Sequence, residues 1–210
     1  MVNNAGIVGP IAPSDWIPKE DYIKVLDVNT LGMIETTRIF LPLVLHDKGR
    51  IVNITSMMGR IAACPGPYNV SKFAAEGYSD TLRRELYKRG VTVHILEPGF
   101  FRTNFIDINT IIRSTQDYYN KLPNHQQNYY GQSYVDNVVE LSKLTLDKFS
   151  SPKIHIVVNA YIHALTSRHP KHRYIVGNDA KYFFRVLWNL PEAVADFVLT
   201  KNARIPEAEH

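Results

Sequence analysis

The sequence RIVNITS at residues 50–56 decides the fold, because it has the pattern of a strand buried on both faces. Ile51, Val52 and Ile54 form a short β-branched run, as expected in the interior of a parallel sheet. A loop rich in small residues follows, and residues 68–89 then have the apolar spacing of a long helix. A strand that leads through a loop into a helix is the repeating unit of an α/β domain.

The alternation of strand and helix extends along the chain in both directions. Further predicted elements are a helix over residues 14–46, a strand over 91–96, a helix from 151 to 165, a strand over 174–177, and a helix over 181–200 that Pro191 breaks. Residues 100–150 are less regular. We therefore expect one α/β domain over residues 1–210, with a parallel sheet covered by helices.

Composition argues against several classes of protein. The net charge of +4 contains no block of five like charges, so we expect no nucleic-acid partner. The single cysteine, Cys64, excludes an internal disulfide and a cysteine-rich zinc site. A zinc hydrolase is a poor alternative because His163, His169 and His172 lack the His-x-x-x-His spacing, and no metal site is predicted. No run of eighteen apolar residues occurs, so we predict no transmembrane helix and no anchor in this chain.

Tyr68 and Lys72 lie four residues apart in a predicted helix, so their side chains share one face. A free tyrosine has a pKa of about 10 and is a poor base at neutral pH. A nearby ammonium favours the phenolate, so this pair suits proton transfer at a reacting hydroxyl. Such a pair also arises by chance, and an exposed pair is its ordinary interpretation.

Ser56 and Asn29 raise the weight of that pair. Ser56 follows the strand at residues 50–55, and ligands of parallel α/β sheets bind at the carboxyl ends of strands. Its plainer interpretation is a turn residue. Asn29 interrupts an apolar helical run, where asparagine is unfavourable. It is either a satisfied core amide or the holder of a water chain near Lys72.

The chain resembles the short-chain dehydrogenase/reductase family from residue 1 to about residue 105. Five motifs occur in that family's order and spacing, namely Asn3-Asn4-Ala5-Gly6, Asn29, Ser56, Tyr68-x-x-x-Lys72 and Pro98-Gly99. The stretches at 49–60, 71–73, 78–86 and 97–103 resemble its retinol and hydroxysteroid dehydrogenase branch. The resemblance implies a Rossmann-like, doubly wound parallel sheet.

The resemblance also implies a function, the interconversion of a hydrophobic alcohol (a retinoid or hydroxysteroid) and its carbonyl with NAD or NADP. Tyr68 would be the acid or base, Lys72 would lower its pKa and hold the cofactor ribose, and Ser56 would bind the substrate oxygen. Asn29 would anchor a water of the proton relay. The implied cofactor contacts are Asn3, Ala5, Gly6, Tyr68, Lys72, Pro98, Gly99 and Thr103. NAD is favoured by resemblance alone.

The phosphate-binding start of that family is absent from this sequence. No Gly-x-x-x-Gly-x-Gly turn follows a strand, and the residue that distinguishes NAD from NADP is not found. We therefore expect a sheet truncated at the N-terminus, with its first strands and Gly-rich turn lacking. An apolar central strand would then become an edge. The isolated chain is predicted to be marginally stable and to bind cofactor poorly or not at all.

Three regions carry open alternatives. Residues 104–150 would form a substrate lid, in which the tyrosine-rich stretch 118–134 is either an apolar substrate wall or an ordinary surface helix pair. Residues 178–210 would form a C-terminal helical extension. Its aromatic stretch 182–188 either contacts a membrane surface or packs on the pocket and core, and resemblance implies an intracellular, endoplasmic reticulum location. Helices 14–46 and 68–89 would form a homodimer contact, through which a non-catalytic fragment could instead bind a full-length partner.

Overall fold

The computed structural model describes residues 1–203, and its strands form a parallel sheet in the order β1-β2-β3-β4. The strands are β1 (Val2–Asn3), β2 (Arg50–Ile54), β3 (Thr92–Pro98) and β4 (Arg173–Val176). Val52 lies opposite both Val2 and His94 in the register. The predicted parallel sheet is confirmed, and within the described residues β1 is an edge strand paired with β2.

Helices connect these strands on both faces of the sheet. They are α1 (Lys19–Leu26), α2 (Gly32–His46), α3 (Pro67–Leu86), α4 (Ile108–Asn120), α5 (Asn124–Phe149), α6 (His155–Thr166), α7 (Arg185–Leu187) and α8 (Glu192–Thr200). Two π-helical turns, Asp27–Leu31 and Asp179–Phe184, join α1 to α2 and precede α7. Two 3₁₀ turns, Met57–Gly59 and Tyr87–Arg89, stand before and after α3.

The sheet is buried on both faces because successive side chains of β2 point to opposite sides. Ile51 packs with Leu82 and Leu86 of α3 in one core cluster. Val52 packs in another cluster with Val157 and other residues of α6. This two-sided cover explains why the strand has a continuous apolar run rather than alternation. It also fixes α3, the helix that carries Tyr68 and Lys72, against the sheet.

The sequence offers two starts for the helix predicted over residues 14–46, an N-cap at Ser14 and a second start near Pro18. The structure has the second, because Pro18 is the N-cap and the helix begins at Lys19. Pro13 and Pro18 restrict the backbone before it, and Trp16 N–H instead donates to the Pro13 carbonyl in a turn at 3.0 Å. The helix then continues to His46 through the π-helical turn at Asp27–Leu31. The backbone preferences of nearby prolines determine where the helix begins, whereas tertiary packing determines the π-helical turn in its middle.

Residues 100–150 are more regular than the sequence indicated, because they contain the helices α4 and α5. Asp107 caps α4 by accepting hydrogen bonds from two backbone N–H groups. The helix α5 contains a kink at Gly131, whose φ is 69°. The polar and aromatic residues here are weak helix formers, so tertiary packing rather than propensity stabilises both helices.

The helical stretch Lys19–His46 is long and apolar enough to cross a membrane by length and composition, although the sequence predicted no such helix. Its centre carries polar side chains that bind other parts of this domain. Asn29 is fully buried, and Thr30 donates to the Ser71 carbonyl at 2.8 Å. The centre of this helix therefore belongs to the protein core, and its length alone is weak evidence for a membrane span.

Candidate active site

A cavity of about 1470 Å³ opens at the carboxyl ends of β1, β2 and β3. Ala5 and Gly6 line it after β1, Ser56 after β2, and Pro98 and Gly99 after β3. Parallel strands end at one edge of the sheet, so residues distant in sequence meet there. The remaining wall is largely apolar and comes from α5, α6, the loop at 100–106 and the C-terminal segment.

Ser56 and Tyr68 meet at the floor of this cavity. The Ser56 hydroxyl lies close enough to the phenol of Tyr68 to act on the pKa of that phenol. Ser56 Oγ accepts a hydrogen bond from Met58 N–H at 3.1 Å. The Met58 bond caps the 3₁₀ turn after β2 and so fixes the hydroxyl. Pro67 begins α3 and places Tyr68 in its first turn. The structure thus brings together the two hydroxyls that the sequence separates by twelve residues.

Lys72 lies one helical turn beyond Tyr68, with its Nζ atom 5.6 Å from the phenol ring centroid. Its side chain is buried, and Nζ donates to the carbonyl of Ile54 at 3.1 Å. Burial lowers the pKa of Lys72 to about 8, and the nearby Glu76 carboxylate opposes that shift. The pKa of Lys72 therefore lies closer to neutral pH than that of an exposed lysine, and the side chain lies next to the end of β2.

Burial of Tyr68 acts on its pKa against the effect expected of a neighbouring cation. Burial of the ring raises the pKa of Tyr68, and the nearby Ser56 hydroxyl only partly offsets this shift. Desolvation disfavours a buried phenolate unless a charge compensates it. The spacing of Tyr68 and Lys72 predicted their proximity, whereas the depth of the phenol depends on the whole fold.

Asn29 is a fully hydrogen-bonded core amide. Its Oδ1 accepts from Ile7 N–H at 2.8 Å, and its Nδ2 donates to the Ile7 carbonyl and to Ser71 Oγ, both at 2.9 Å. The π-helical turn Asp27–Leu31 turns this side chain toward the chain segment after β1. Asn29 thereby holds that segment beside α3, and the amide contacts protein groups on three sides.

Asn3 lies away from the cavity, whereas its neighbours line it. Its Nδ2 donates to Thr37 Oγ1 at 3.0 Å and to Asn53 Oδ1 at 2.9 Å. This network ties β1 to α2 and β2, so Asn3 braces the sheet. Thr103 lines the cavity, and its Oγ1 accepts from Phe105 N–H at 3.3 Å.

Sequence reasoning missed a buried charge cluster behind α3. Arg173 forms ion pairs with Glu76 of α3 and Glu97 of β3, and with Asp80 at 3.1 Å. Burial raises the pKa of Glu97 to about 7, an effect that the Glu76 carboxylate adds to and Arg173 opposes. The signal in the sequence was a glutamate at the end of an otherwise apolar strand.

Sequence reasoning also assigned no role to Asp179, which lies beside Pro98-Gly99. Its Oδ2 accepts a hydrogen bond from Phe100 N–H at 2.7 Å. The available signals in the sequence were two glycines, Gly177 just before Asp179 and Gly99 after β3. Within residues 1–203, no group of three or more His, Cys, Asp or Glu side chains could hold a metal ion.

Residues 1–110, more than half of the chain, match the family described as short chain dehydrogenase. The chain belongs to the short-chain dehydrogenase family. It is 42% identical over 202 residues to human 17-beta-hydroxysteroid dehydrogenase type 6, covering 96% of this chain and 63% of that protein. It is 42% identical over 200 residues to mouse retinol dehydrogenase 5, covering 95% of this chain and 63% of the relative. The resemblance to this branch is thereby confirmed.

Solved short-chain dehydrogenases share the fold. One from Burkholderia cenocepacia, in complex with NADP, superposes with a TM-score of 0.65 at 21% identity and covers 94% of this chain and 67% of that one. One from Burkholderia phymatum, in complex with NAD, has a TM-score of 0.63 at 22% identity, with 99% and 69% covered. The predicted Rossmann-like fold is confirmed. This short-chain dehydrogenase chain spans about 63% of the length of the human hydroxysteroid dehydrogenase and of the mouse retinol dehydrogenase.

Proposed function

We propose that this chain carries the substrate side of an oxidoreductase that interconverts an apolar alcohol and its carbonyl compound, with NAD or NADP as the hydride carrier. The meeting of Ser56, Tyr68 and Lys72 at the floor of an apolar cavity carries this proposal. The relatives named retinol dehydrogenase and 17-beta-hydroxysteroid dehydrogenase favour a retinoid or steroid alcohol.

The residues present fit the nicotinamide and ribose end of such a cofactor. An ammonium has three N–H donors, and within residues 1–203 the structure assigns one of those of Lys72, to the carbonyl of Ile54. The remaining donors suit a vicinal diol at the cavity floor. A Cβ added at Gly6 would lie 3.3 Å from Asn29 Oδ1 and 3.7 Å from Lys72 Nζ, so glycine keeps this floor open. The sequence offers no Gly-rich turn for the phosphates.

When bound, a nicotinamide cofactor supplies the hydride acceptor or donor, and its oxidised form adds a positive charge. The chain's own residues orient the substrate and move the proton. In alcohol oxidation, Ser56 holds the substrate oxygen, and Tyr68 in its phenolate form takes the hydroxyl proton and becomes the phenol. In carbonyl reduction, Tyr68 returns that proton to the same oxygen. Lys72 supplies a positive charge beside the phenol, which offsets part of the cost of a buried phenolate.

Replacing the acid or base tests the proposal directly. We expect Tyr68→Phe to lower turnover of an apolar alcohol with NAD or NADP by about 10²- to 10⁴-fold, the usual contribution of a positioned acid or base. The matched control is Tyr87→Phe, a tyrosine at 74% exposure just after α3, which should turn over as wild type. Equal activity of Tyr68→Phe and wild type would refute the proposed chemistry.

A second candidate is a non-catalytic chain that binds a full-length relative. Exposed apolar side chains on α2 and α3, among them Leu43 and Phe73, support this alternative. We expect such a chain to co-elute with the relative while showing no turnover of its own in either the wild type or the Tyr68→Phe variant. Turnover that disappears in Tyr68→Phe would contradict this candidate.

The C-terminal segment supports a peripheral membrane contact as an added proposal. Tyr182 and Phe197 are about 70% exposed or more, and Val186 between them is about half exposed. Other aromatic residues of the same segment, Phe183 and Phe184, line the cavity. The exposed side chains support the membrane contact, and the cavity-lining side chains support the packing role. An apolar substrate dissolved in a membrane would then meet the protein near the cavity wall.

A further inference from the structure

The turn after β3 donates a hydrogen bond to a buried carboxyl group that lies 79 residues later in the sequence. Asp179 begins the π-helical turn after β4 and is only 8% exposed. Its Oδ2 accepts from Phe100 N–H at 2.7 Å, while Gly99 N–H donates to the Val176 carbonyl at 2.8 Å. Two hydrogen bonds thus tie consecutive residues of this turn to β4 and to the segment that follows it.

Two glycines make room for this carboxylate. A Cβ at Gly99 would lie 2.1 Å from Asp179 Oδ2, and a Cβ at Gly177 would lie 2.4 Å from Oδ1. Neither distance is possible for a real side chain, so both positions require glycine while the aspartate is present. The backbone of the turn therefore lies directly against the carboxylate.

The side chain of Asp179 is a buried carboxyl group. Within residues 1–203, no Lys, Arg or His nitrogen lies within 4.0 Å of its carboxylate in an ion pair. Burial raises the pKa of Asp179, and backbone N–H groups of Phe100, Ala180 and Asp179 itself act in the opposite direction. Burying a carboxylate is costly unless its hydrogen bonds compensate the lost water. A side chain that served only to fill this space would carry no such cost.

The groups that Asp179 joins belong to two walls of the candidate active site. Pro98 and Gly99 line the cavity beside Ser56 and Tyr68. Phe184, five residues after Asp179, lines it from the C-terminal segment. The phenyl ring of Phe100 lies 6.2 Å from that of Phe184, so the two walls also contact each other through aromatic side chains.

We propose that Asp179 is a positioning residue, which fixes the Pro98-Gly99-Phe100 turn relative to Tyr68 and couples it to the C-terminal wall of the cavity. This inference rests on the proposed function, in which that turn borders the reacting groups. It assigns Asp179 no contact with the reacting atoms. Its effect on turnover is transmitted through the backbone of residues 98–100.

The first test measures the turn itself and needs no turnover. We expect Asp179→Ala to accelerate hydrogen exchange at the Phe100 amide by at least tenfold, because its acceptor is lost. Asp179→Asn keeps an acceptor oxygen and should retain most of that protection. The matched control is Asp107→Ala, which removes another aspartate that accepts backbone N–H bonds, at an exposed helix start. Unchanged Phe100 exchange in Asp179→Ala would overturn the proposal.

The second test uses the close approach of Gly99. Gly99→Ala should strongly lower the thermal midpoint in the wild-type background, because the new Cβ meets the carboxylate. In the Asp179→Ala background the same change should lower it much less, since the clashing atoms are gone. Such coupling between neighbours is measured by a double-mutant cycle. Equal effects in both backgrounds would contradict the proposed contact.

The third test separates positioning from general stability. With NAD and an apolar alcohol, we expect Asp179→Ala to lower kcat by about 100-fold, as small displacements of aligned groups do, while the KM for the alcohol changes little. Asp179→Asn should recover most of the loss. Loss of turnover in Asp179→Ala without recovery in Asp179→Asn, or a rise in KM alone, would contradict the positioning role. If Tyr68→Phe retains activity, the proposed function fails, whereas the exchange and coupling results still decide the contact.

Discussion

At the scale of single residues, the sequence predicted which side chains lie close together better than it predicted how deeply they are buried. The hydroxyls of Ser56 and Tyr68 meet as their order along the chain indicated, and Lys72 lies on the same helix face as Tyr68. Burial raises the pKa of Tyr68, and that burial depends on packing from distant segments. A lowered Tyr68 pKa beside Lys72 and an oxidised nicotinamide stays a prediction. Asp179 was missed because its partner Phe100 lies 79 residues earlier.

Glu97 gives a prediction about pH at the same scale. Its pKa is raised by burial from the model-compound value of 4.5 to about 7, so the folded state binds more protons than the unfolded state between these values. The free energy of unfolding therefore falls as pH rises through this window, by an amount on the order of 3 kcal/mol. Glu97→Gln should remove this slope and be the more stable protein at pH 8.

Chemical denaturation at pH 5, 6, 7 and 8 measures that slope. The difference between wild type and Glu97→Gln isolates Glu97, which matters because burial lowers the pKa of His94 and makes stability rise with pH. Glu85→Gln, an exposed glutamate on α3, is the matched control and should keep the wild-type slope. The same slope in Glu97→Gln as in wild type would disprove the assignment.

At the scale of elements, the strands and the central helices could be predicted from sequence, and the helices within residues 104–150 could not. The strand β2 and the helix α3 have strong apolar periodicity, and their observed bounds agree with the prediction within a few residues. The helices α4 and α5 carry mixed polar and aromatic residues, so their stability comes from contacts such as the tilted ring pair of Trp16 and Tyr119. The apolar periodicity of a helix does not predict such contacts between distant segments.

Two glycines within helices provide a test of how each helix depends on its backbone conformation. Gly131 has a φ of 69°, which side chains other than glycine rarely adopt, whereas Gly77 of α3 has open space around its Cβ position. We expect Gly131→Ala to lower the free energy of unfolding by about 1–2 kcal/mol. Gly77→Ala should raise it by up to about 1 kcal/mol, as alanine is the better helix former. Thermal denaturation compares both, and a stabilised Gly131→Ala protein would show that the kink is not fixed.

At the scale of the whole molecule, the sequence predicted the sheet and the helices that cover it, but not how much apolar surface stays exposed. Phe40 and Leu43 on α2 are 48% and 65% exposed, and Val70 and Phe73 on α3 are 47% and 45% exposed. Exposed large apolar side chains in this number favour a protein contact. We therefore retain the prediction that this face of α2 and α3 forms a homodimer.

The dimer prediction is tested by charge placed on that face. Leu43→Lys combined with Phe73→Lys should convert a dimer to a monomer in light scattering at micromolar concentration, because a lysine pair buried against its symmetry mate lacks a counter-ion. Tyr87→Lys is the control, since Tyr87 is 74% exposed just beyond α3 and should leave the mass unchanged. A wild-type protein that remains monomeric throughout this concentration range would contradict the prediction. A mass that stays dimeric in the double variant would place the contact on another face, so each result decides where the exposed apolar surface of α2 and α3 is covered.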